Sequence, residues 1–293
     1  CLSMDWKSKT LWVGTGEVNS SRSSYAGIGL LKSSDNGANW QNVGLKDSHH
    51  ISNILINPAN SNEIVVGVVG HLYSVNNERG VFKTMDGGKT WSNTLFVNDQ
   101  SGIIELVSDP NNFSIMFASS WDKDRKAWNF KGDGPGSGIY KSIDAGSSWS
   151  HVSGEGSGFP MGEGTGRIGL AVYDQNTVYA IIDNQNRRED EASSEENDVL
   201  KKEDFKTMTT AKLLALDDNS LAKYLKANNF QEKYTAASVK QMVQAGTVKP
   251  DDLAKYLEDA NSLLFDTPVI GAQVYKTTNG GETWSKTHEG YLD

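Results

Sequence analysis

A single cysteine, Cys1, in 293 residues excludes an internal disulfide framework and leaves the redox compartment open. Prolines number six, against 29 glycines, so turns are plentiful while proline-rich linkers are excluded. Positive charge is short: 28 Lys and Arg face 37 Asp and Glu, a formal net charge of −9. That balance argues against a nucleic-acid partner, which needs a basic face. No apolar run is long enough for a membrane span. The chain also lacks an initiating methionine and any secretory leader at its start. At 293 residues the chain is long enough for one large all-β domain or two ordinary ones, and 37% hydrophobic residues allow a real core.

What is present is repetition. Four segments share one pattern: Ser33-Ser-Asp-Asn-Gly-Ala-Asn-Trp40, Thr84-Met-Asp-Gly-Gly-Lys-Thr-Trp91, Ser142-Ile-Asp-Ala-Gly-Ser-Ser-Trp149 and Thr277-Thr-Asn-Gly-Gly-Glu-Thr-Trp284. Each follows a short alternating strand ending in lysine, at Lys32, Lys83, Lys141 and Lys276. These segments resemble the Asp box of sialidase-like and sortilin-like propellers. The chemistry is structural: Asp35, Asp86 and Asp144 accept N–H groups of their own turn, and a glycine two residues on takes positive φ. Asn279 replaces the aspartate in the fourth copy, and its amide oxygen still closes the turn. Trp40, Trp91, Trp149 and Trp284 are expected to pack their rings against the blade.

The remaining strands fall into phase. Inner strands A are expected at Leu2–Trp6, Ile51–Ile56, Ile103–Val107 and Arg167–Val172. Strands B are expected at Thr10–Gly14, Glu63–Val69, Ser114–Ser119 and Thr177–Asp183. The boxes are then the C–D turns of four blades, spaced 51, 58 and 135 residues apart between positions 35, 86, 144 and 279. Removing an insert of about 80 residues returns the last spacing to about 55, near a blade period. The expected fold is an all-β propeller: four Asp-box blades forming an open arc of a larger ring, with a small α-helical insertion in the fourth.

The insert opens with Glu189–Asp198, six acidic residues in ten, expected as a solvated tether; a calcium loop would need a glycine turn that is missing. From Lys201 to Leu264 the periodicity turns helical, with Leu221-Ala-Lys-Tyr-Leu225 repeated as Leu253-Ala-Lys-Tyr-Leu257. Thr235–Ala245 reads as a further helix stopped by Gly246, and Pro250 suits a first helical position. The domain boundaries expected are 1–188 for the first three blades and the start of the fourth, 189–200 for the tether, 201–264 for the helices and 265–293 for the rest of blade four. Four blades in phase with no spare residues make both ends expected truncation points, since propellers close their rings.

Alternating strand direction puts the boxes and A–B turns on one face and the B–C and D–A loops on the other. The long, varied loops all fall on that second face, where function concentrates on a rigid scaffold. Expected ligand-binding residues there are Glu17, Arg22, His50, Glu78, Arg79, Trp121, Asp122, Arg125 and Trp128. Tryptophans beside carboxylates and arginines suit a carbohydrate; the bland alternative is that Trp121 and Trp128 pack their own loop. Glu17 paired with Asp122 or Asp124 is the available carboxylate pair for glycoside hydrolysis. No metal and no cofactor are expected, because sequential metal spacing and cysteine ligands are both missing.

Trp12-Val-Gly-Thr-Gly-Glu17, Gly132-Asp-Gly-Pro-Gly-Ser-Gly-Ile-Tyr-Lys-Ser142 and Phe265-Asp-Thr-Pro-Val-Ile-Gly271 resemble large bacterial sortilin-like propeller proteins with BNR repeats. Such proteins are commonly labelled glycosyl hydrolases by similarity to xyloglucanases and sialidases. The resemblance implies a secreted or cell-envelope parent with more blades, and a carbohydrate or glycoprotein partner. Two departures limit what carries over: nothing matches the Ala-Tyr-Arg-Trp-Asp-like catalytic segment of xyloglucanases, and Arg167-Ile168 continues with glycine rather than the proline of the sialidase segment. The alternative is a non-catalytic, sortilin-like protein-binding scaffold.

Overall fold

The computed structural model describes residues 1–188, 200–255 apart from 229 and 232, and 269–292. The acidic stretch Glu189–Asp198 and the segment 256–268, which takes in the last two residues of the second Leu-Ala-Lys-Tyr-Leu copy, lie outside the described residues. Two compact units emerge, Cys1–Asn186 with Val269–Asp293, and Arg187–Pro268.

The first unit is four antiparallel sheets of four strands each. Blade one holds β1 (Leu2–Asp5), β2 (Thr10–Gly14), β3 (Leu30–Ser33) and β4 (Gln41–Asn42), in that spatial order. Blade two holds β5 (Ile51–Ile56), β6 (Ile64–Val68), β7 (Gly80–Thr84) and β8 (Ser92–Leu95). In blade three, β9 (Gly102–Asp109) and β10 (Asn112–Trp121) are followed by a hairpin, β11 (Asp124–Arg125) and β12 (Phe130–Lys131), before β13 (Gly138–Ser142) and β14 (Ser150–His151) complete the sheet. Blade four is β15 (Thr165–Val172), β16 (Val178–Arg187), β17 (Val269–Thr277) and β18 (Ser285–Lys286). The inner strands pack in succession, β1 on β5, β5 on β9 and β9 on β15, so the blades form an arc rather than a closed ring.

Burial follows from this stacking. In β6 every residue is buried, because Ile64, Val66 and Val68 join the core shared with blade one while Val65 joins the core shared with blade three. The same alternation in β16 buries only one face: Val178, Ala180 and Ile182 enter the core, whereas Tyr179 and Ile181 are exposed. A period-two strand has two faces, and only a blade with neighbours on both sides covers both.

The boxes are built as the residue types dictate. Asp86 accepts the N–H groups of Lys89 and Thr90, each at 2.9 Å, and the Thr84 hydroxyl at 2.8 Å. That hydroxyl in turn accepts the Gly88 N–H at 3.1 Å, with Gly88 at φ +91°. Asp144 repeats the arrangement with Ser147, Ser148 and Ser142. Asn279 keeps the essential bond, accepting the Thr283 N–H at 3.0 Å, and donates to the Thr283 hydroxyl. The tryptophans go further than packing within their own blade. Each reaches back: Trp91 Nε1 donates to Val43 O at 2.8 Å, Trp149 Nε1 to Thr94 Oγ1 at 3.2 Å and Trp284 Nε1 to Val152 O at 2.9 Å. Trp40, with no earlier blade among the described residues, is 43% exposed. The strand-ending lysines reach forward, Lys32 to Gly87 O at 3.2 Å, Lys83 to Ala145 O at 2.8 Å and Lys141 to Gln175 O at 3.3 Å.

The second unit is helical: α1 (Lys202–Thr207), α2 (Thr210–Leu214), α3 (Asp218–Ala227), α4 (Ala236–Gln244) and α5 (Pro250–Lys255). Asp217 caps α3 by accepting the Ser220 N–H at 3.0 Å, and Thr235 caps α4 with Ser238 returning a bond to its N–H. Phe205, Leu213, Leu221, Leu225, Val239, Val243 and Leu253 form its separate core.

Candidate functional site

The B–C loops of the first three blades and the loop from blade one into blade two meet on one face. Arg125, on β11, donates from Nε to Ser20 O at 2.9 Å and lays its guanidinium 3.9 Å from the Phe130 ring. Tyr73 donates its hydroxyl to Arg22 O at 2.8 Å. Val18, beside Glu17, packs against the cluster of Val69, Ile104 and Trp121, so the loops carrying Glu17 and Asp122 share apolar support.

Three of the expected ligand residues lie beneath this face rather than on it. Arg79 is 1% exposed, and its donors are taken by Asn76 Oδ1 and by the carbonyls of Gln100, His71 and Ser74. A guanidinium so enclosed must satisfy its donors internally, so Arg79 holds the loop of residues 71–79 in shape. Its pKa is pushed down to about 10 by burial. Trp121 is buried as well, donating Nε1 to Gly132 O at 2.7 Å and meeting Phe130 edge-on, which leaves no free ring face for a ligand. His50 is buried at the head of β5, and burial together with Lys123 pushes its pKa down to about 4, so it is neutral.

The others reach solvent to different degrees. Glu17 is exposed and accepts from Asn19 Nδ2 at 3.1 Å, and Arg22 is exposed. Glu78, half-buried, accepts the Asp47 N–H at 2.7 Å. Asp122 is half-buried, accepts the Gly136 N–H at 3.0 Å, and burial pushes its carboxyl above the usual range. Asp124 pairs with Lys126 at 2.9 Å. Trp128 stands at the tip of the β11–β12 hairpin, 85% exposed.

Sequence patterns alone did not single out several neighbours. Lys123 is almost fully buried, donates to His71 O at 3.2 Å, and burial with repulsion from Arg79 and Arg125 pushes its pKa down to about 7. Tyr25, 83% exposed, and Tyr73 also face outward. An isolated tyrosine or lysine in a loop carries no pattern. Their only signal was membership of the long B–C loops.

The propeller geometry agrees with a family model described as sortilin, neurotensin receptor 3 (Sortilin-Vps10), which matches residues 29–250. The chain belongs to the Sortilin-Vps10 family. Among solved structures, this Sortilin-Vps10 chain is similar to the GH74 enzyme of Niastella koreensis, at 16% identity and TM-score 0.50 over 97% of this chain and 28% of that one. It is also similar to the GH74 xyloglucanase from Xanthomonas campestris, at 13% identity and TM-score 0.49 over 98% of this chain and 29% of that one. The chain thus spans less than a third of the length of either. At these identities the likeness is one of fold. No curated protein matches the sequence. Among the described residues no helix is long and apolar enough to cross a membrane.

Proposed function

We propose that the loop face of this Sortilin-Vps10 propeller binds a glycan, free or on a glycoprotein, in an extracytoplasmic parent related to glycoside hydrolases. One observation carries this reading. Tyr25, Tyr73 and Trp128 stand exposed on the B–C loops of three successive blades, and those loops are tied together by the Tyr73–Arg22 and Arg125–Ser20 bonds. Aromatic faces held on a braced scaffold stack on sugar rings at low ordering cost, and Glu17, Arg22 and Asp122 supply acceptors and donors for hydroxyls. The raised carboxyl of Asp122 also suits a proton donor, so recognition and hydrolysis must be measured separately.

The test is calorimetric titration of the chain with neutral and acidic oligosaccharides, alongside an assay for newly released reducing ends. Trp128→Ala and Tyr25→Ala should each weaken binding about 3- to 10-fold. Asp122→Asn should leave binding within a few-fold. Absence of binding to every sugar overturns the proposal. A second reading, protein capture, is favoured by one feature: the helical unit bears an apolar pocket of about 120 Å³ lined by Phe230, Tyr234, Val239, Met242, Val248 and Leu253.

A further inference from the structure

We propose that Asp47, His49 and His71 bind a divalent transition-metal ion, zinc in the first instance, which clips the loops of blades one and two together. Asp47 and His49 come from the loop that leaves blade one, and His71 from the B–C loop of blade two. Their ligand atoms all lie within 4.8 Å of one another. Asp47 Oδ1 and His71 Nε2 are 3.0 Å apart, and the His49 and His71 rings are stacked with centroids 3.7 Å apart at 17°. Zinc bonds of 2.0–2.1 Å in a tetrahedron put ligand atoms about 3.3 Å apart, so closure asks the widest pair to approach by about 1.5 Å and one of the two stacked rings to turn until both in-plane lone pairs meet at the ion.

The loops that carry the ligands are held in place by Ser74, Asn76 and Glu78, and Asn76 also accepts from Arg79. His71 Nδ1 faces Ser74 Oγ at 2.8 Å, and the His71 N–H donates to Asn76 Oδ1 at 3.0 Å. Asn76 Nδ2 in turn donates to Asp47 O at 2.7 Å, and Glu78 holds the Asp47 N–H. Orientation of a ligating imidazole through its second nitrogen is the usual support of a metal histidine. His49 sits at φ +53°, a left-handed conformation unfavourable for its side chain. Close packing fixes it there: the Gly27 N–H donates to His49 O at 2.6 Å, and a Cβ on Gly16 would lie 1.9 Å from that oxygen. Strain held by packing beside two other ligand groups is what a built site shows.

The donor set selects the metal. Two imidazoles and one carboxylate suit zinc and neighbouring first-row ions, with a remaining position for water. Asp47 is mostly exposed, so that position opens to solvent. In the free protein His71 Nε2–H donates to Asp47; with the ion bound, the proton resides on Nδ1, the Ser74 hydroxyl turns to accept it, and the Nε2 lone pair takes the metal. Arg79 and Lys123 lie close by, but both donate to the His71 carbonyl, and Glu78 adds a second carboxylate beside Asp47. The expectation of no metal rested on sequential spacing, whereas this triad is assembled across two blades.

The test uses the full chain, stripped with a chelator, titrated with zinc chloride by calorimetry and with cobalt(II) by visible absorption. One saturable ion per chain and a Tm that rises with zinc are expected, together with a cobalt spectrum free of thiolate charge transfer. Asp47→Asn and His71→Ala should abolish the stoichiometric site. His49→Asn should do so too, and asparagine tolerates the left-handed backbone, so that variant keeps the fold. Ser74→Ala should weaken zinc about tenfold. Undiminished affinity in folded His49→Asn and Asp47→Asn, a thiolate band that disappears in Cys1→Ser, or no saturable binding at all overturns the proposal.

Discussion

Asp86→Ala removes the acceptor around which the second box turn is folded. Its carboxylate takes two backbone N–H groups at 2.9 Å, the Thr84 hydroxyl at 2.8 Å and the Thr90 hydroxyl at 2.6 Å. The turn is open to water, which recovers part of each bond, so each counts for about 0.5 kcal/mol and the total is about 2 kcal/mol. For a unit of this size that lowers Tm by about 4–8 °C. Asp86→Asn is the internal control, because Asn279 shows that an amide closes the same turn; its cost should be about 1 kcal/mol or less. Thermal unfolding followed by tryptophan fluorescence measures both, and faster exchange of the Thr90 amide localises the damage. Loss of ligand binding in Asp86→Ala at unchanged Tm would refute a structural role for the box.

Asp35 and Asp144 have pKa values held down to about 2, Asp35 chiefly by the Asn39 N–H, and Asp144 by Ser148 and Ser142 against a burial effect that raises it. Unfolded aspartate titrates near about 3.9, so this stability is present above that pH and drains away as pH falls toward about 2; unfolding measured between pH 5 and 2 should show it, and Asp35→Asn/Asp86→Asn/Asp144→Asn should flatten it. Lys83→Met strands the buried Glu63, 2.8 Å from Lys83 Nζ, and should cost about 3–5 kcal/mol in chemical denaturation, with Glu63→Gln in the same chain recovering much of it. Trp149→Phe keeps an aromatic ring but loses the bond to Thr94, and should cost about 1 kcal/mol by the same measurement. Leu2, Trp6 and Trp40 on blade one and Tyr179 and Ile181 on blade four expose apolar surface, so sedimentation should show self-association that rises with concentration.

The fold was legible because it is written four times. Serine or threonine, aspartate and glycine at fixed spacing specify a closed turn whatever surrounds it, and the strands on either side follow by phase. The reach of Trp91, Trp149 and Trp284 into the preceding blade was not legible, since a pattern within one repeat is silent about its neighbour. Nor was the hairpin β11–β12, whose two-residue strands are too short for periodicity to register. The face that carries the candidate site could be named from loop length, yet membership of the site could not. Arg79, Trp121 and His50 looked like surface chemistry because their residue types are common in binding sites; burial, which decides the matter, depends on loops remote in sequence. Asp47, His49 and His71 fall into the same class, gathered by the apposition of two blades.

The paired reach of each blade, tryptophan backward and lysine forward, has a consequence for how damage spreads. Every such tie joins consecutive blades, one to two, two to three and three to four, and none among those described skips one. Stability along the arc is then a chain of nearest-neighbour couplings, with the end blades coupled once and the inner blades twice. Melting should therefore start at the ends and move inward, and a lesion in blade two should loosen blades one and three while reaching blade four only through blade three. In a solenoid such behaviour is ordinary; a propeller that closes its ring loses the distinction between end and middle, and with it any preferred place to begin to come apart.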